Sequence, residues 1–458
     1  MKRRLLLALA LAVCCGVSAQ ITSTAKDIAP KMIPGWNLGN TMEGGSNQNE
    51  WKNAGVNTEI SWQSTKTSQA VIDLVHNSGF KSVRIPCSWV MGHITDKANV
   101  TIDPAWLARV KEVVDYCIND GMYVVLNDHW DGGWLENDGF TSGTNITEKK
   151  EQLTKLWTNI ANYFKDYDEH LIFAGLNEPG VGGASPDASG SKVDNKTLTS
   201  RLLEYEQTFI NAVRATGGNN ATRILVVQGP NTNIDNSTDA SLNYDVTTLT
   251  DPAGAGRLMV EVHEYDPYSF TQQTKDESWG KQYYYWSRSN HYSSSTHNAT
   301  WGEESYMAQQ FNKLQTKFVS NGYPVIIGEY AANWRKMPAN GESQKKHDAS
   351  IKSWYQVVTQ YAASRGIVPF VWDINSPSQN GTKGTMTIFN RNTLKVFNQN
   401  ALDGIMQGVT NGINDIKVTK AKNADDTIYT IEGIAVGKDE TNLAKGIYIR
   451  GGEKFVKN

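Results

Sequence analysis

Eight short apolar β-type runs, separated by amphipathic helical stretches, limit the fold of this chain more than any other feature. The runs are Gly35–Asn40, Ser82–Pro86, Met122–His129, Leu171–Pro179, Arg223–Gly229, Arg257–Tyr265, Pro324–Tyr330 and Val368–Asn375. Most are continuous rather than alternating, as strands covered on both faces are. Ala105–Cys117 carries Leu107, Val110, Val113, Val114 and Cys117 at helical spacing, and Glu148–Tyr163, Leu198–Thr216 and Glu304–Val319 read the same way. Repeated strand–helix alternation predicts a parallel sheet with helices outside it. Eight repeats favour a (β/α)8 TIM barrel, with a doubly wound open sheet as the structural competitor.

Most of the runs end in polar or aromatic side chains: Asn40, Arg84, His129, Asn177 with Glu178, His263 with Tyr265, Glu329 and Trp372. In a parallel barrel the carboxyl ends of all strands converge on one rim, so these residues are expected to face a common cleft.

The ends of the chain read differently. Lys2, Arg3 and Arg4 precede an apolar run from Leu5 to Val13 and a small-residue Val17-Ser18-Ala19 site, which predicts a signal peptide over 1–19 and a secreted or cell-surface protein. Lipidation at Cys14 or Cys15 is the weaker alternative, because Val13 stands where a small residue is expected. Residues 20–408 are read as the barrel. Residues 409–458 are read as a short β-rich tail, with strands at Ile416–Thr419, Thr427–Ile431 and Gly446–Arg450. Only Cys87 and Cys117 remain outside the leader, too few for a disulfide scaffold, and either two buried thiols or one bond is open. The formal net charge of -3 carries no basic field for nucleic acid. Of 14 Trp and 19 Tyr many must serve the core, and an excess in loops would suit stacking on sugar rings.

Glu178 and Glu329 each close an apolar run, Leu171–Leu176 before Asn177-Glu178-Pro179 and Pro324–Gly328 before Glu329-Tyr330. A carboxylate at the end of a buried strand must be satisfied or functional. Two such groups facing each other are the equipment of glycoside hydrolysis, and a separation near 5–5.5 Å specifies retention.

The ordered set Gly35-Trp36-Asn37-Leu38-Gly39-Asn40, Val83-Arg84-Ile85-Pro86, His129, Asn177-Glu178-Pro179, His263-Glu264-Tyr265, Gly328-Glu329 and Trp372-Asp373 resembles glycoside hydrolase family 5 of clan A, the main cellulase family. The first motif, with Val262-His263 and Tyr265-Asp266-Pro267, is similar to subfamily 4. The resemblance implies a retaining endo-β-1,4-glucanase acting on cellulose, mixed-linkage glucan or xyloglucan of plant cell walls, with no cofactor or metal. It also implies roles. Glu178 is the acid/base, with a pKa raised towards the working pH, and Glu329 is the ionised nucleophile. Arg84 and Tyr265 support Glu329, and His263 contacts Glu178. Asn177 binds the sugar 2-hydroxyl, His129 binds sugar hydroxyls, Trp372 forms the floor under that sugar, and Asn37 supports the first motif. A xylanase or mannanase of the same mechanism and a non-catalytic polysaccharide-binding protein are the alternatives. A monomer is expected, because a polymer needs an open cleft.

One departure concerns the third run, Asn127-Asp128-His129-Trp130-Asp131, where Trp130 replaces the second histidine usual in the subfamily. Trp130 and Trp134 are read either as a platform for an extra sugar or as loop packing. The tail, with Tyr429–Gly433, Lys445–Ile449 and Gly451–Val456, resembles the sorting domain of the type IX (Por) secretion system, and a small β appendage is its alternative. A metal-dependent hydrolase using His129, Asp131, His263 and Glu264 is the rival chemistry, but no His-Glu-x-x-His spacing supports it.

Overall fold

A computed structural model describes residues 21–45, 51–181, 192–338, 341–378, 381–422, 427–430, 435–441, 443–450 and 453–457. The leader, with Cys14 and Cys15, lies outside the described residues.

Eight parallel strands close into a barrel: β1 (Gly35–Asn37), β2 (Ser82–Ile85), β3 (Tyr123–Asn127), β4 (Leu171–Ala174), β5 (Leu225–Asn233), β6 (Leu258–Glu264), β7 (Val325–Tyr330) and β8 (Val368–Val371). Each strand pairs with its neighbours in sequence, and β8 returns to β1 through Gly35 opposite Phe370. The open-sheet alternative is thereby replaced by the closed one. Each strand is followed by a helix: α1 (Gln69–Asn77), α2 (Pro104–Asn119), α3 (Ile146–Tyr163), α4 (Asn195–Ala215), the single turn α5 (Ile234–Thr238), α6 (Glu304–Lys317), α7 (Gln344–Ala363) and α8 (Gln399–Lys422). Several start on side-chain caps. Asp103, Asn145, Asp194 and Ser343 accept backbone N–H groups of the first turns of α2, α3, α4 and α7, and Pro104 occupies the position where a missing N–H costs nothing.

The strands bury two different faces. Outward residues such as Val83, Ile85, Val124, Leu126, Phe173, Val260 and Val262 join the helices in the main core. Inward residues Tyr123, Val125, Ile172, Ala174, Val226, Met259, Ile326, Val368 and Phe370 fill the lower barrel, and Ala25, Ile28, Ala29 and Met32 close it from below. One inward step higher, the interior turns polar with Asn37, Arg84, Gln228 and Glu261, all fully buried. That layer is the floor of the cleft.

Three features depart from the sequence expectation. Helices α1 and α7 were not foreseen. The run Leu171–Pro179 is strand only to Ala174, so Asn177 and Glu178 stand on the segment that follows it. The last helix runs on to Lys422, so Ile416–Thr419 is helical rather than a strand. Its start is held close to α7: a Cβ on Gly404 or Gly408 would meet the Lys352 or Gln356 carbonyl oxygen at 2.4 or 2.6 Å. Once a helix is seated, β-branched residues cost it only tenths of a kcal/mol each, about 0.7 at most, and they do not end it. The tail forms a four-stranded antiparallel sheet, β9 (Ile428–Thr430), β10 (Ala435–Gly437), β11 (Gly446–Arg450) and β12 (Glu453–Lys457), in the order β10-β9-β11-β12. Parts of its motifs, including 431–434 and 451–452, lie outside the described residues. Cys87 and Cys117 are buried free thiols. Among the described residues no helix is long and apolar enough to cross a membrane.

Candidate active site

The polar layer is organised by one guanidinium. Arg84, projecting inward from β2, lies 2.9 Å from Glu261 Oε1 through Nε. Its Nη1 donates to Glu329 Oε1 at 3.1 Å and to Asn37 Oδ1 at 3.0 Å, and its Nη2 donates to Asn177 Oδ1 at 2.8 Å. Asn37 in turn donates to the Gly328 carbonyl at 2.8 Å, which ties β1 to β7 just before Glu329. Gln228 of β5 donates to Glu261 Oε2 at 2.6 Å. A buried charge needs partners of this kind, and the Arg84 guanidinium has them through both terminal nitrogens, while its Nε meets Glu261 as an ion pair without hydrogen-bond geometry.

Above this floor stand the two carboxyls expected from the sequence. Glu329 ends β7 with its side chain 8 % exposed, whereas Glu178 faces the cleft with 41 % exposure. An oxygen of each lies within 4.8 Å of the other. That spacing fits double displacement with retention and is too close for the water that inversion requires. Tyr265 donates from its hydroxyl to Glu329 Oε2 at 2.9 Å. His263 sits between the pair, with Nδ1 at 2.7 Å from Glu178 Oε1 and 3.7 Å from Glu329 Oε2, and with Nε2 at 3.3 Å from Glu261 Oε1.

These contacts set the proton distribution. Burial opposes a charge on His263, but the Glu329, Glu178 and Glu261 carboxylates outweigh it and push the imidazole up to about 10. His263 is therefore cationic and donates from both nitrogens. Burial also raises Glu178, yet the hydrogen bond and charge of His263, with Arg84 behind, hold it below the usual carboxylate range. Glu329 is pushed above that range by burial, which the charges of His263 and Arg84 only partly offset. The free site thus reverses the order expected from the sequence, because His263 carries the proton and donates it to Glu178. His129 is held neutral, well below its ordinary value, by burial and by the charges of Arg84 and His263.

The remaining expected residues line one side of the pair. His129 Nε2 is 4.0 Å from Glu329 Oε1, and its ring stacks on Trp372 at 5.7 Å between centroids, 9° from parallel. Trp130 is partly exposed on the rim. Trp134 is buried at 1 % exposure, donates from its indole to Asp128 Oδ2 at 3.2 Å and packs edge-on against Trp51. It packs the loop and offers no open face, so the platform expectation does not hold for it. On the other side, a hollow of about 270 Å³ opens between Glu178, Asn231, Tyr265 and Tyr268. Tyr268 stands beside the exposed Trp279.

The rival metal set does not converge. The Asp131 carboxylate accepts the N–H groups of Val90 and Met91, and Glu264 accepts that of Asp266. Sequence reasoning missed Glu261, Gln228 and Glu136, whose Oε2 accepts the Glu178 N–H at 3.0 Å. Glu261 left a signal, a lone acid between Val260 and Val262 that matches the lone base between Val83 and Ile85 on another strand.

Residues 45–378 match the family model for cellulase (glycosyl hydrolase family 5). Endoglucanase B of Clostridium cellulovorans is 33% identical over 371 residues, 80% of this chain and 72% of that protein. A xyloglucan-specific β-1,4-glucanase from a ruminal metagenomic library, solved in complex with XXLG, is 48% identical, covers 85% of this chain and 97% of its own, and superposes with a TM-score of 0.75. A broad-specificity endoglucanase from Ruminococcus champanellensis with bound cellotriose is 30% identical over 85% of this chain and 99% of its own, with a TM-score of 0.69.

Proposed function

The chain belongs to glycosyl hydrolase family 5, the cellulase family, and from that premise we propose how its residues divide the work of a retaining endo-β-1,4-glucanase. Glu329 attacks the anomeric carbon. Arg84 and Tyr265 hold its two oxygens apart and aimed into the cleft, and both stabilise the ionised form. Glu178 protonates the departing glycosidic oxygen and later draws a proton from water. The carrying observation is the pair of carboxyls within 4.8 Å, one buried against Arg84 and the other facing the cleft on His263.

The proton that Glu178 gives is stored on His263 Nδ1, one hydrogen bond away at 2.7 Å. When sugar displaces water and the carboxylate loses solvation, its proton affinity rises and the proton passes to Oε1. It leaves with the first product, and the hydrolytic water returns it in the second step. Asn177, oriented by Arg84, bonds the 2-hydroxyl beside the reacting carbon. Neutral His129 and the face of Trp372 bind the same sugar, and Trp130 lies further along that side.

The substrate is a β-1,4-glucan backbone. Xyloglucan ranks beside cellulose and mixed-linkage glucan, because the 48% identical relative is a xyloglucan-specific enzyme. The protein is exported by residues 1–19, works outside the cell as a monomer on plant cell-wall polysaccharide, and carries in the β-rich tail that follows the last barrel helix a sorting signal for type IX secretion.

Reducing-sugar release from carboxymethyl-cellulose, barley β-glucan, xyloglucan, xylan and mannan, with Glu329→Gln as control, tests the reading. Turnover of glucans that falls by several orders of magnitude in the variant supports it. Turnover of xylan or mannan alone overturns the substrate, and full activity in the variant overturns the pair.

A further inference from the structure

Glu136 lies on the loop after β3, away from the strand ends, yet it reaches the Asn177–Glu178 segment from behind. Its Oε2 accepts the backbone N–H of Glu178 at 3.0 Å, and its own carbonyl accepts the N–H of Gly180 at the same distance. Two points of one short segment, Glu178 and Gly180, are thus pinned by a single residue that is only 9 % exposed. Glu178 is past the end of β4 and has no ladder partner there, so this clamp substitutes for the sheet. Gly180 leaves no slack, since a Cβ on it would meet the Glu136 carbonyl oxygen at 2.7 Å.

We propose that Glu136 is a positioning residue for Glu178, a buried carboxyl that fixes the acid/base from behind and adds a third ionisable group to the catalytic pair. The inference rests on the reading of Glu178 as acid/base. The titratable groups that face Glu136 are Glu178 from the end of β4, Glu329 from β7 and Asp128 from its own loop. Burial first, and then the charge of Glu178, push Glu136 up to about 8, against the hydrogen bond from the Glu178 N–H. Below that pH it is a neutral acid that still accepts the N–H. Above it, the new negative charge raises the proton affinity of Glu178 and keeps the acid form available to higher pH.

Three variants test this. Glu136→Ala removes the acceptor, Glu136→Asp withdraws it by one methylene in case the alanine variant does not fold, and Glu136→Gln keeps an acceptor without the charge. Misplacing a reacting group by about 1 Å costs on the order of 100-fold. Glu136→Ala or Glu136→Asp is therefore expected to lose about 10- to 100-fold in kcat/KM on β-glucan. On a dinitrophenyl β-cellobioside, whose leaving group departs without a proton, the same variant is expected to lose less than about threefold in kcat/KM, which reports glycosylation and not the later base step. Glu136→Gln is expected to recover most of the glucan activity at pH 6 and to show an alkaline limb shifted to lower pH. Equal losses on both substrates, a glutamine variant no better than alanine, or an unmoved alkaline limb each overturn the proposal. Glu178→Ala on the same two substrates separates the failures: if it keeps glucan activity, the acid/base reading has failed, whatever Glu136 does.

Discussion

Gly328→Ala is the substitution on which backbone propensity and this structure disagree most sharply. In a strand interior, Gly to Ala ordinarily stabilises by about 0.5–1 kcal/mol. Here a Cβ on Gly328 falls 1.8 Å from Glu261 Oε1, where ordinary contact begins at 3.4 Å, so the carboxylate must retreat by about 1.6 Å (3.4 minus 1.8). That same oxygen holds Arg84 Nε at 2.9 Å and His263 Nε2 at 3.3 Å, and neither contact survives such a shift. Breaking a buried ion pair costs about 3–5 kcal/mol. Set against the propensity gain, the net loss is about 2–4 kcal/mol. Urea unfolding of the two proteins measures it. kcat/KM on β-glucan should fall in parallel, because Arg84 also holds Glu329. A Glu261→Ala background removes the clash, so there Gly328→Ala should cost less than about 0.5 kcal/mol, a non-additivity that double-mutant analysis detects. A neutral or stabilising Gly328→Ala, or full additivity with Glu261→Ala, refutes the arrangement under the catalytic pair.

Arg84→Met should raise Glu329 further. The attacking carboxylate must be ionised, and burial already lifts it above the usual carboxylate range against the pull of His263 and Arg84, so the acid limb of kcat/KM should move to higher pH; an unmoved limb counts against the contact. Glu178→Ala should lose glucan turnover by several orders of magnitude, keep kcat/KM on a dinitrophenyl β-cellobioside, and regain turnover with azide as a β-glycosyl azide; absence of the azide product tells against its role. Trp134→Phe should cost about 1 kcal/mol of stability through the lost Asp128 hydrogen bond and leave KM unchanged, whereas Trp372→Ala should raise KM; the opposite pattern would mean that Trp134 binds sugar after all.

The strand ends were legible because a buried parallel strand announces itself as an apolar run, and the first polar residue after it has only the rim to occupy. Asn177, Glu178, His263, Glu329 and Trp372 all meet at one cleft for that reason. What continuity concealed was the period of two inside the barrel. Arg84 and Glu261 are single charges among valines and isoleucine on distant strands, and only closure of the sheet makes them partners. Trp134 and Glu136 were out of reach for another reason. Their places depend on the path of the loop after β3, which is set by the Asp128 and Asp131 contacts and by packing rather than by any local pattern. Proton order was equally hidden. A carboxyl after one strand gives no hint that a histidine two strands away hydrogen-bonds it and competes for its proton. In the last helix, Ile416, Val418 and Thr419 advertise a strand, while contact of α8 with α7 at Gly404 and Gly408 decides for helix.

The division of labour between the two carboxyls is the central claim, and covalent trapping tests it most directly. The enzyme is inactivated with a 2-deoxy-2-fluoro β-cellobiosyl fluoride, digested, and mapped by mass spectrometry. One equivalent of 2-fluorocellobiosyl label on Glu329, with Glu178 unlabelled, is the predicted result. Label on Glu178 or on any other residue would contradict it.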